Sequence, residues 1–133
     1  MIAIDTSALM AIALGEDRAS DCIAAIEAGD DLVISAGTVA EALIVSERRN
    51  VVEEITRLID ELGMEIVSVT PAAARRIALA YARWGKGVHA AALNFGDCFA
   101  YDVAKEHDCP LLYVGNDFSK TDIEGAIENA APA

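Results

Sequence analysis

The chain has few cysteines and no long apolar segment. Its three cysteines, Cys22, Cys98 and Cys109, are an odd number without a C-x-x-C spacing, which argues against a disulfide framework or a zinc knuckle and favours reduced thiols. No apolar run approaches the roughly 18–20 residues that span a bilayer. Residues 1–4 lead directly into Asp5, without the basic segment of a signal peptide. We therefore expect a cytoplasmic protein with no membrane association.

Positive charge is also scarce. Ten Lys and Arg stand against 22 Asp and Glu, which gives a net charge of −12 at pH 7. This balance argues against a protein that binds duplex nucleic acid through a basic face without regard to sequence. It does not exclude a nuclease whose acids are gathered around metal ions.

Aromatic side chains make up only 5% of the chain, whereas 26 of the 133 residues are Ala. The core must therefore be built from Ala, Ile, Leu and Val, a mixture that suits helices packed on a sheet. With 54% hydrophobic residues and a mean hydropathy of +0.34, the chain is too apolar to be disordered. We find no repeat or linker, and its length predicts a single domain over residues 1–133.

Short apolar runs alternate with helical patterns along the chain. The runs predict four strands, at residues 2–4, 32–35, 65–69 and 111–114. The helical patterns predict helices at residues 7–14, 17–28, 37–49, 51–62, 71–84 and 94–107, with a weak helix or frayed end from residue 121. Strands separated by helices long enough for crossovers predict an α/β fold, with a parallel β-sheet core and helices on both faces.

The spacing of apolar residues also predicts which helix faces are buried. In the third helix the residues expected to face inward are Val39, Ala42, Leu43 and Ser46, and in the fifth helix they are Ile77, Ala80, Tyr81 and Trp84. A contact with a second copy or a partner protein is the alternative for the two aromatic residues.

Four acids stand where the predicted elements would bring them to one edge of the sheet. Asp5 directly follows the first strand and Asp117 follows the fourth, while Glu41 and Asp97 fall in the first turns of two helices. Ligands of parallel sheets gather outside the carboxyl ends of the strands, and hard divalent cations prefer oxygen ligands. Each acid alone could also be a helix-stabilising charge or a turn residue. The prediction of a metal site therefore depends on the four acids together.

Four short segments carry these acids. They are residues 5–9 (DTSAL), 38–42 (TVAEA), 93–101 (LNFGDCFAY) and 114–118 (VGNDF). In order and spacing they are similar to the four motifs of PIN-domain ribonucleases, and they look most like the VapC-type toxins of bacterial toxin–antitoxin pairs. The resemblance covers nearly the whole chain, and the Asn-Phe-Gly-Asp-Cys stretch is its most specific part.

The resemblance implies an endoribonuclease that depends on Mg²⁺ or Mn²⁺ and is held inactive by a small cognate antitoxin protein. It also implies a homodimer whose active sites line a shared groove. The family's acids fall on Asp5, Glu41 and Asp97. The last motif offers Asp117 as the fourth acid, with Asn116 beside it as a polar ligand or as a group that orients one.

Several other residues are candidates for supporting roles. Thr6 and Ser7 resemble the hydroxyls that orient the first acid or a metal-bound water, and Thr38 is a similar candidate beside Glu41. Arg83 and Lys86 precede the helix of the third acid, where they could hold RNA phosphates or contact a partner. Solvated helix surface is the alternative explanation for these two cations.

The expected chemistry is attack on a backbone phosphate by a metal-activated water, which leaves a 5′-phosphate and a 3′-hydroxyl. His89 and His107 are predicted in a loop and at a helix end, outside the four motifs, so neither is a candidate general base. A phosphatase or phosphotransfer domain of similar architecture would need a second Asp where Ser7 stands. A PIN-like protein-interaction module without catalytic activity is the remaining alternative.

Overall fold

The structure is a computed structural model, and it describes residues 1–128. Its strands are β1 (Ile2–Ile4), β2 (Leu32–Ser35), β3 (Glu65–Val67) and β4 (Leu111–Leu112). All strand pairs are parallel, in the order β3-β2-β1-β4. The α-helices of the described part are α1 (Thr6–Leu14), α2 (Ala19–Glu27), α3 (Ala36–Arg49), α4 (Val52–Glu61), α5 (Pro71–Trp84) and α6 (Phe95–Glu106). These elements confirm the predicted fold class.

The strand order places a change of direction at the centre of the sheet. The chain proceeds from β1 outward to β2 and β3, and then returns to add β4 on the other side of β1. Ala3 pairs with Val33 on one side and with Leu111 on the other. In parallel sheets such a reversal leaves a crevice outside the carboxyl ends of the two strands. The crevice between β1 and β4 is therefore the expected position of a site.

Both faces of the sheet are covered by helices. On one face Ala3, Val33 and Leu111 pack with residues of α5 and α6. On the other face Ile4 and Ile34 pack with residues of α1 to α4. Consecutive strand residues therefore alternate between two cores, which explains why the strands are continuous apolar runs.

Two predicted strands end earlier than expected. Residues 65–69 form a strand only as far as Val67, and residues 111–114 only as far as Leu112. β3 is an edge strand with an exposed Ile66, so little packing extends it. Beyond β4, the backbone N–H of Val114 donates to Ser7 Oγ at 3.0 Å instead of continuing a ladder.

Two predictions of buried side chains are wrong. Leu43 and Tyr81 are each 39% exposed. In α3 the buried positions are Thr38, Ala42 and Ser46, because α3 packs closely against its neighbours through small residues and turns Leu43 outward. In α5 Trp84 is buried as expected, on a stripe with Ala73, Ile77 and Ala80 that leaves Tyr81 to one side.

The end of the chain is not helical where a weak helix was expected. A 3₁₀ turn covers Phe118–Lys120, and among residues 121–128 the backbone runs beside β4. There the N–H of Leu111 donates to the Glu124 carbonyl, and the N–H of Ala126 donates to the Leu111 carbonyl, both at 2.9 Å. The rest of the predicted tail, residues 129–133, lies outside the described residues.

Within residues 1–128, no helix has both the length and the apolar character that crossing a membrane requires.

Candidate active site

Asp5 lies at the carboxyl end of β1 and caps the first turn of α1. Its Oδ2 accepts hydrogen bonds from the Ser7 backbone N–H at 3.1 Å and from Ser7 Oγ at 2.6 Å. Ser7 Oγ in turn accepts from the N–H of Val114, so one hydroxyl links the ends of β1 and β4. The other oxygen of Asp5, Oδ1, is buried without a hydrogen-bond partner among residues 1–128. A buried oxygen in this state is available to a ligand.

Asp97 lies in the first turn of α6 and is 9% exposed. Its Oδ2 accepts from the backbone N–H of Asn94 at 2.9 Å, while Asn94 Oδ1 accepts from the backbone N–H of Asp97 at 2.8 Å. This reciprocal capping box fixes the carboxyl group at the positive end of the helix dipole. The predicted position of Asp97 is confirmed.

Glu41 is placed differently from its predicted position. α3 begins at Ala36, with Ser35 as its N-cap, so Glu41 lies in the second turn and not in the first. Its Oε1 accepts a hydrogen bond from Thr6 Oγ1 at 2.6 Å. The shift weakens the explanation of Glu41 as a helix-stabilising charge, because the dipole acts mainly within the first turn.

Gly96 makes the position of Glu41 possible. A Cβ atom at Gly96 would lie 1.7 Å from Glu41 Oε2, far inside van der Waals contact. The carboxylate of Glu41 therefore lies directly against the backbone of α6, one residue before Asp97. Any side chain at position 96 would push it away.

The last motif lies in an exposed loop after β4. Asp117 is exposed, and its negative charge raises the pKa of Asp97, which places it within electrostatic reach of the buried acids. Asn116 is also exposed, and its carbonyl accepts from Ser119 Oγ at 2.6 Å.

The electrostatics connect Asp97 with the three other acids. Burial and, to a smaller extent, the charges of Asp5, Asp117 and Glu41 together raise the pKa of Asp97 to about 7, although the hydrogen bond from Asn94 lowers it. Burial and the charge of Glu41 likewise raise the pKa of Asp5 to about 6, although the Ser7 hydrogen bonds lower it. Mutual repulsion of this kind is relieved by a cation.

The donor set fits a hard divalent cation. All four acids offer oxygen ligands, and the buried Oδ1 of Asp5 has no partner within the described part of the chain. No three His, Cys, Asp or Glu side chains of residues 1–128 already form a group that could hold an ion. Three of the carboxylates are instead engaged by hydrogen-bond donors of Thr6, Ser7 and Asn94. The site therefore fits a divalent cation through the oxygen ligands and negative charge of its acids, and not through a coordination geometry that is already formed.

The three candidate hydroxyls occupy different positions. Ser7 holds Asp5, and Thr6 holds Glu41. Thr38 is fully buried, and its Oγ1 has no hydrogen-bond partner in residues 1–128. Thr6, and not Thr38, is thus the hydroxyl that orients Glu41.

The two candidate cations are not both near the acids. The guanidinium of Arg83 lies 4.4 Å from the centre of the Trp84 ring and 3.8 Å from Asp122, which also pairs with Lys105. The pairs of Arg83 and Lys105 with Asp122 lie at the carboxyl end of α6, where Lys105 is, whereas Asp97 is at its amino end. Lys86 is exposed, and its backbone N–H donates to the Leu93 carbonyl at 3.0 Å, just before α6 begins.

Sequence reasoning missed the roles of Gly96 and Asn94. The N-x-x-D spacing at a predicted helix start was a readable signal for the capping box of Asn94. The contact between Gly96 and Glu41 had no local signal, because the two residues belong to different helices that meet only in the folded chain.

The raised pKa values predict a pH-dependent stability. A carboxyl with a higher pKa in the folded chain keeps its proton where the unfolded chain has lost it, so these groups lower stability as pH rises from about 4 to about 7. We expect the Asp5→Asn/Asp97→Asn double variant to gain in melting temperature relative to the wild type across this range. Thermal melts at several pH values without divalent ions measure the difference, and a constant difference would contradict the prediction.

The comparisons with known proteins agree with this geometry. The PIN domain family matches residues 2–124. Ribonuclease VapC36 of Mycobacterium tuberculosis is 46% identical over 125 residues, which cover 91% of this chain and 90% of the relative. Ribonuclease VapC28 of the same species is 39% identical over 129 residues, which cover 94% of this chain and 97% of the relative.

Two solved structures share the fold at low sequence identity. Mycobacterium tuberculosis VapC20, described as a toxin that cleaves the sarcin–ricin loop, has a TM-score of 0.76 at 15% identity and covers 92% of this chain and 96% of its own. A toxin–antitoxin complex from Klebsiella pneumoniae has a TM-score of 0.63 at 17% identity and covers 90% of this chain and 89% of the matching chain.

The fold and most of the length of the chain are thus shared with a known class of proteins. The chain belongs to the PIN-domain family. Within that family its curated relatives are the VapC ribonucleases of mycobacteria, which confirms the resemblance stated from the four motifs.

Proposed function

We propose that this protein is a VapC-type toxin, an endoribonuclease that uses Mg²⁺ or Mn²⁺ to hydrolyse RNA. The observation that carries the proposal is the buried Asp5 at the carboxyl edge of the sheet, whose Oδ1 has no hydrogen-bond partner among residues 1–128, and the charges of Asp5, Glu41 and Asp117 raise the pKa of Asp97 beside it. Two of these acids are almost completely buried, an arrangement that is unfavourable for folding. Binding of a divalent cation accounts for the burial of these acids.

Each acid has a distinct means of being held in place. Ser7 fixes one oxygen of Asp5 and leaves the other free for a ligand. Asn94 fixes Asp97, and Thr6 fixes Glu41. We assign Asp5, Glu41, Asp97 and Asp117 as metal-binding and catalytic residues, with Thr6 and Ser7 as orienting hydroxyls and Asn116 beside the fourth acid.

A divalent ion held by Asp5, Glu41, Asp97 and Asp117 would supply activation of a water molecule for attack on the phosphodiester and would neutralise the charge that develops there. The histidines serve other purposes. His89 Nδ1 accepts from the backbone N–H of Ala91 at 3.0 Å, and its ring packs on Trp84. His107 Nδ1 lies 2.9 Å from the Val103 carbonyl. Both are engaged with their own neighbours, which supports a metal-activated nucleophile over an imidazole base.

The test is cleavage of RNA by the purified chain. We expect endonucleolytic cleavage of a structured RNA with Mn²⁺ or Mg²⁺, products with 5′-phosphate ends, and complete loss of cleavage in EDTA. Mn²⁺ should also raise the melting temperature. Intact RNA together with an unchanged melting temperature would refute the nuclease and favour the interaction module without catalytic activity.

We further propose a cognate antitoxin as partner. The Klebsiella toxin–antitoxin complex of the same fold supports this, and the net charge of −12 suits a basic antitoxin segment that enters the acidic cluster. A short upstream reading frame encoding a DNA-binding motif with a basic tail would support the assignment. A homodimer is proposed as the assembly, and sedimentation of the isolated chain measures it.

A further inference from the structure

A large aromatic side chain stands exposed beside the acidic cluster. Phe95 is the first residue of α6, between the N-cap Asn94 and Gly96, and 70% of its surface is exposed. Its ring meets that of Phe99 edge to face, with centroids 4.9 Å apart and planes at 77°. A single exposed apolar side chain is common on protein surfaces. Phe95 is distinguished by its pairing with Phe99 and by its place one residue before Gly96, which lies against the carboxylate of Glu41.

The support beneath Phe95 is closely packed. A Cβ atom at Gly37 would lie 2.2 Å from Cδ1 of Phe99, so the Phe99 ring rests directly on the backbone of α3. The N–H of Gly37 is itself held by Ser35 Oγ at 3.1 Å. Phe95 therefore stands on a second ring that the helix crossing holds in place.

The same crossing of α3 and α6 sets the distance between the aromatic pair and the acids. Gly37 meets Phe99 one helical turn before Glu41 meets Gly96 on α3. Phe95 and Gly96 are consecutive in α6, so a group that lies on Phe95 is next to the backbone position that contacts the carboxylate of Glu41.

The charge of the protein limits how it can bind a polyanion. The chain carries −12, and Arg18, Arg76, Arg83 and Lys105 are paired with carboxylates of Asp21, Asp102 and Asp122. Six of the ten cations have no ion pair among residues 1–128, but the excess of acids opposes binding of a polyanion by charge alone. Base stacking needs no charge, and every base offers a face for it.

We propose that Phe95, backed by Phe99, is the platform on which a base of single-stranded RNA stacks, so that the adjoining phosphodiester faces the acidic cluster. The proposal rests on the ribonuclease function proposed above and adds a positioning residue to it. An unpaired base is required, because a base within a duplex has no free face.

The test compares Phe95→Ala and Phe95→Trp with wild type, and uses Leu79→Ala as matched control. Leu79 is also 70% exposed, but it lies on α5. The substrate is the single-stranded oligonucleotide that wild type cleaves fastest from a random-sequence pool, with Mn²⁺ present. Loss of one stacked base predicts a rise in KM of about five- to 150-fold for Phe95→Ala, wild-type values for Leu79→Ala, and a KM for Phe95→Trp at or below that of wild type.

Equal KM values for wild type and Phe95→Ala would overturn the stacking proposal while leaving the ribonuclease intact, whereas a wild type that cleaves no RNA would refute the ribonuclease itself. A change in oligomeric state or antitoxin affinity with unchanged KM would assign Phe95 to a protein interface and also overturn the proposal. Thermal melts exclude misfolding, because an exposed side chain contributes little to stability.

Discussion

Replacement of Asp97 by Asn is expected to lower RNA cleavage by about a thousandfold or more. The loss of several kcal/mol of charge stabilisation in the transition state corresponds to a factor of this size. Asp97 is the acid whose pKa responds to the charges of all three others. Its removal should therefore disrupt cation binding more than removal of the exposed Asp117.

The same variant should not be less stable than wild type at pH 8 in the absence of metal. Asn offers the same oxygen acceptor to the backbone N–H of Asn94, and it removes a buried charge whose pKa burial raises to about 7. At pH 8 wild type carries the unfavourable charge and the variant does not. A melting temperature equal to or above that of wild type, combined with loss of cleavage, separates a functional defect from a folding defect.

The matched control is Asp60→Asn, an exposed position of α4 on the other side of the chain's core. It should retain wild-type cleavage and the melting-temperature rise with Mn²⁺, whereas Asp97→Asn should lose both. Comparable cleavage by Asp97→Asn and wild type would remove Asp97 from the proposed catalytic set.

The sequence was sufficient to predict the sheet and the positions of three acids, because these follow from local rules. Asp5 and Asp117 come after apolar runs, and Asp97 stands at a helix start, so each could be placed from its own segment. Glu41 was assigned to the first turn of its helix because Gly37 and Thr38 look like a start signal. Ser35 caps α3 instead, and shifts the helix start towards the strand.

The errors share a physical origin in contacts between distant segments. Leu43 and Tyr81 have the side-chain type and spacing of core residues, but both are exposed. In α3 the neighbouring elements pack so closely that only small side chains, such as those of Ala42 and Ser46, fit in the interior. The bond between Thr6 and Glu41 joins residues 35 positions apart. Such pairs depend on the three-dimensional arrangement of helices, which periodicity along one helix does not specify.

The restraint of carboxylates by neighbouring hydroxyl and amide groups connects the fold to the proposed chemistry. Asp5 and Asp97 also cap the helices that carry them, so the groups proposed to bind the cation contribute to local structure. A side chain that is already fixed loses little entropy when it binds an ion or substrate. The hydrogen bonds from Thr6, Ser7 and Asn94 also offset part of the cost of burying these acids.

Gly96→Ala is expected to lower cleavage by about a hundredfold while leaving the fold intact. The added methyl group would lie 1.7 Å from Glu41 Oε2, and the carboxylate, at the end of a flexible side chain, can move aside. Displacements of about 1 Å at a reacting centre cost roughly this factor. Alanine also favours a helix over glycine by about 1 kcal/mol, so the melting temperature should not fall, and circular dichroism would measure it.

The role of Glu41 in this effect can be isolated with a double-mutant cycle. If Gly96 acts by making room for Glu41, then Gly96→Ala should cause little further loss of cleavage in a Glu41→Ala background, where the displaced carboxylate is absent. Independent, multiplicative losses would show that the methyl group disturbs another part of the site, most directly Asp97 next to it. The cycle thus distinguishes a glycine required for the approach of one carboxylate from a glycine required for the first turn of α6.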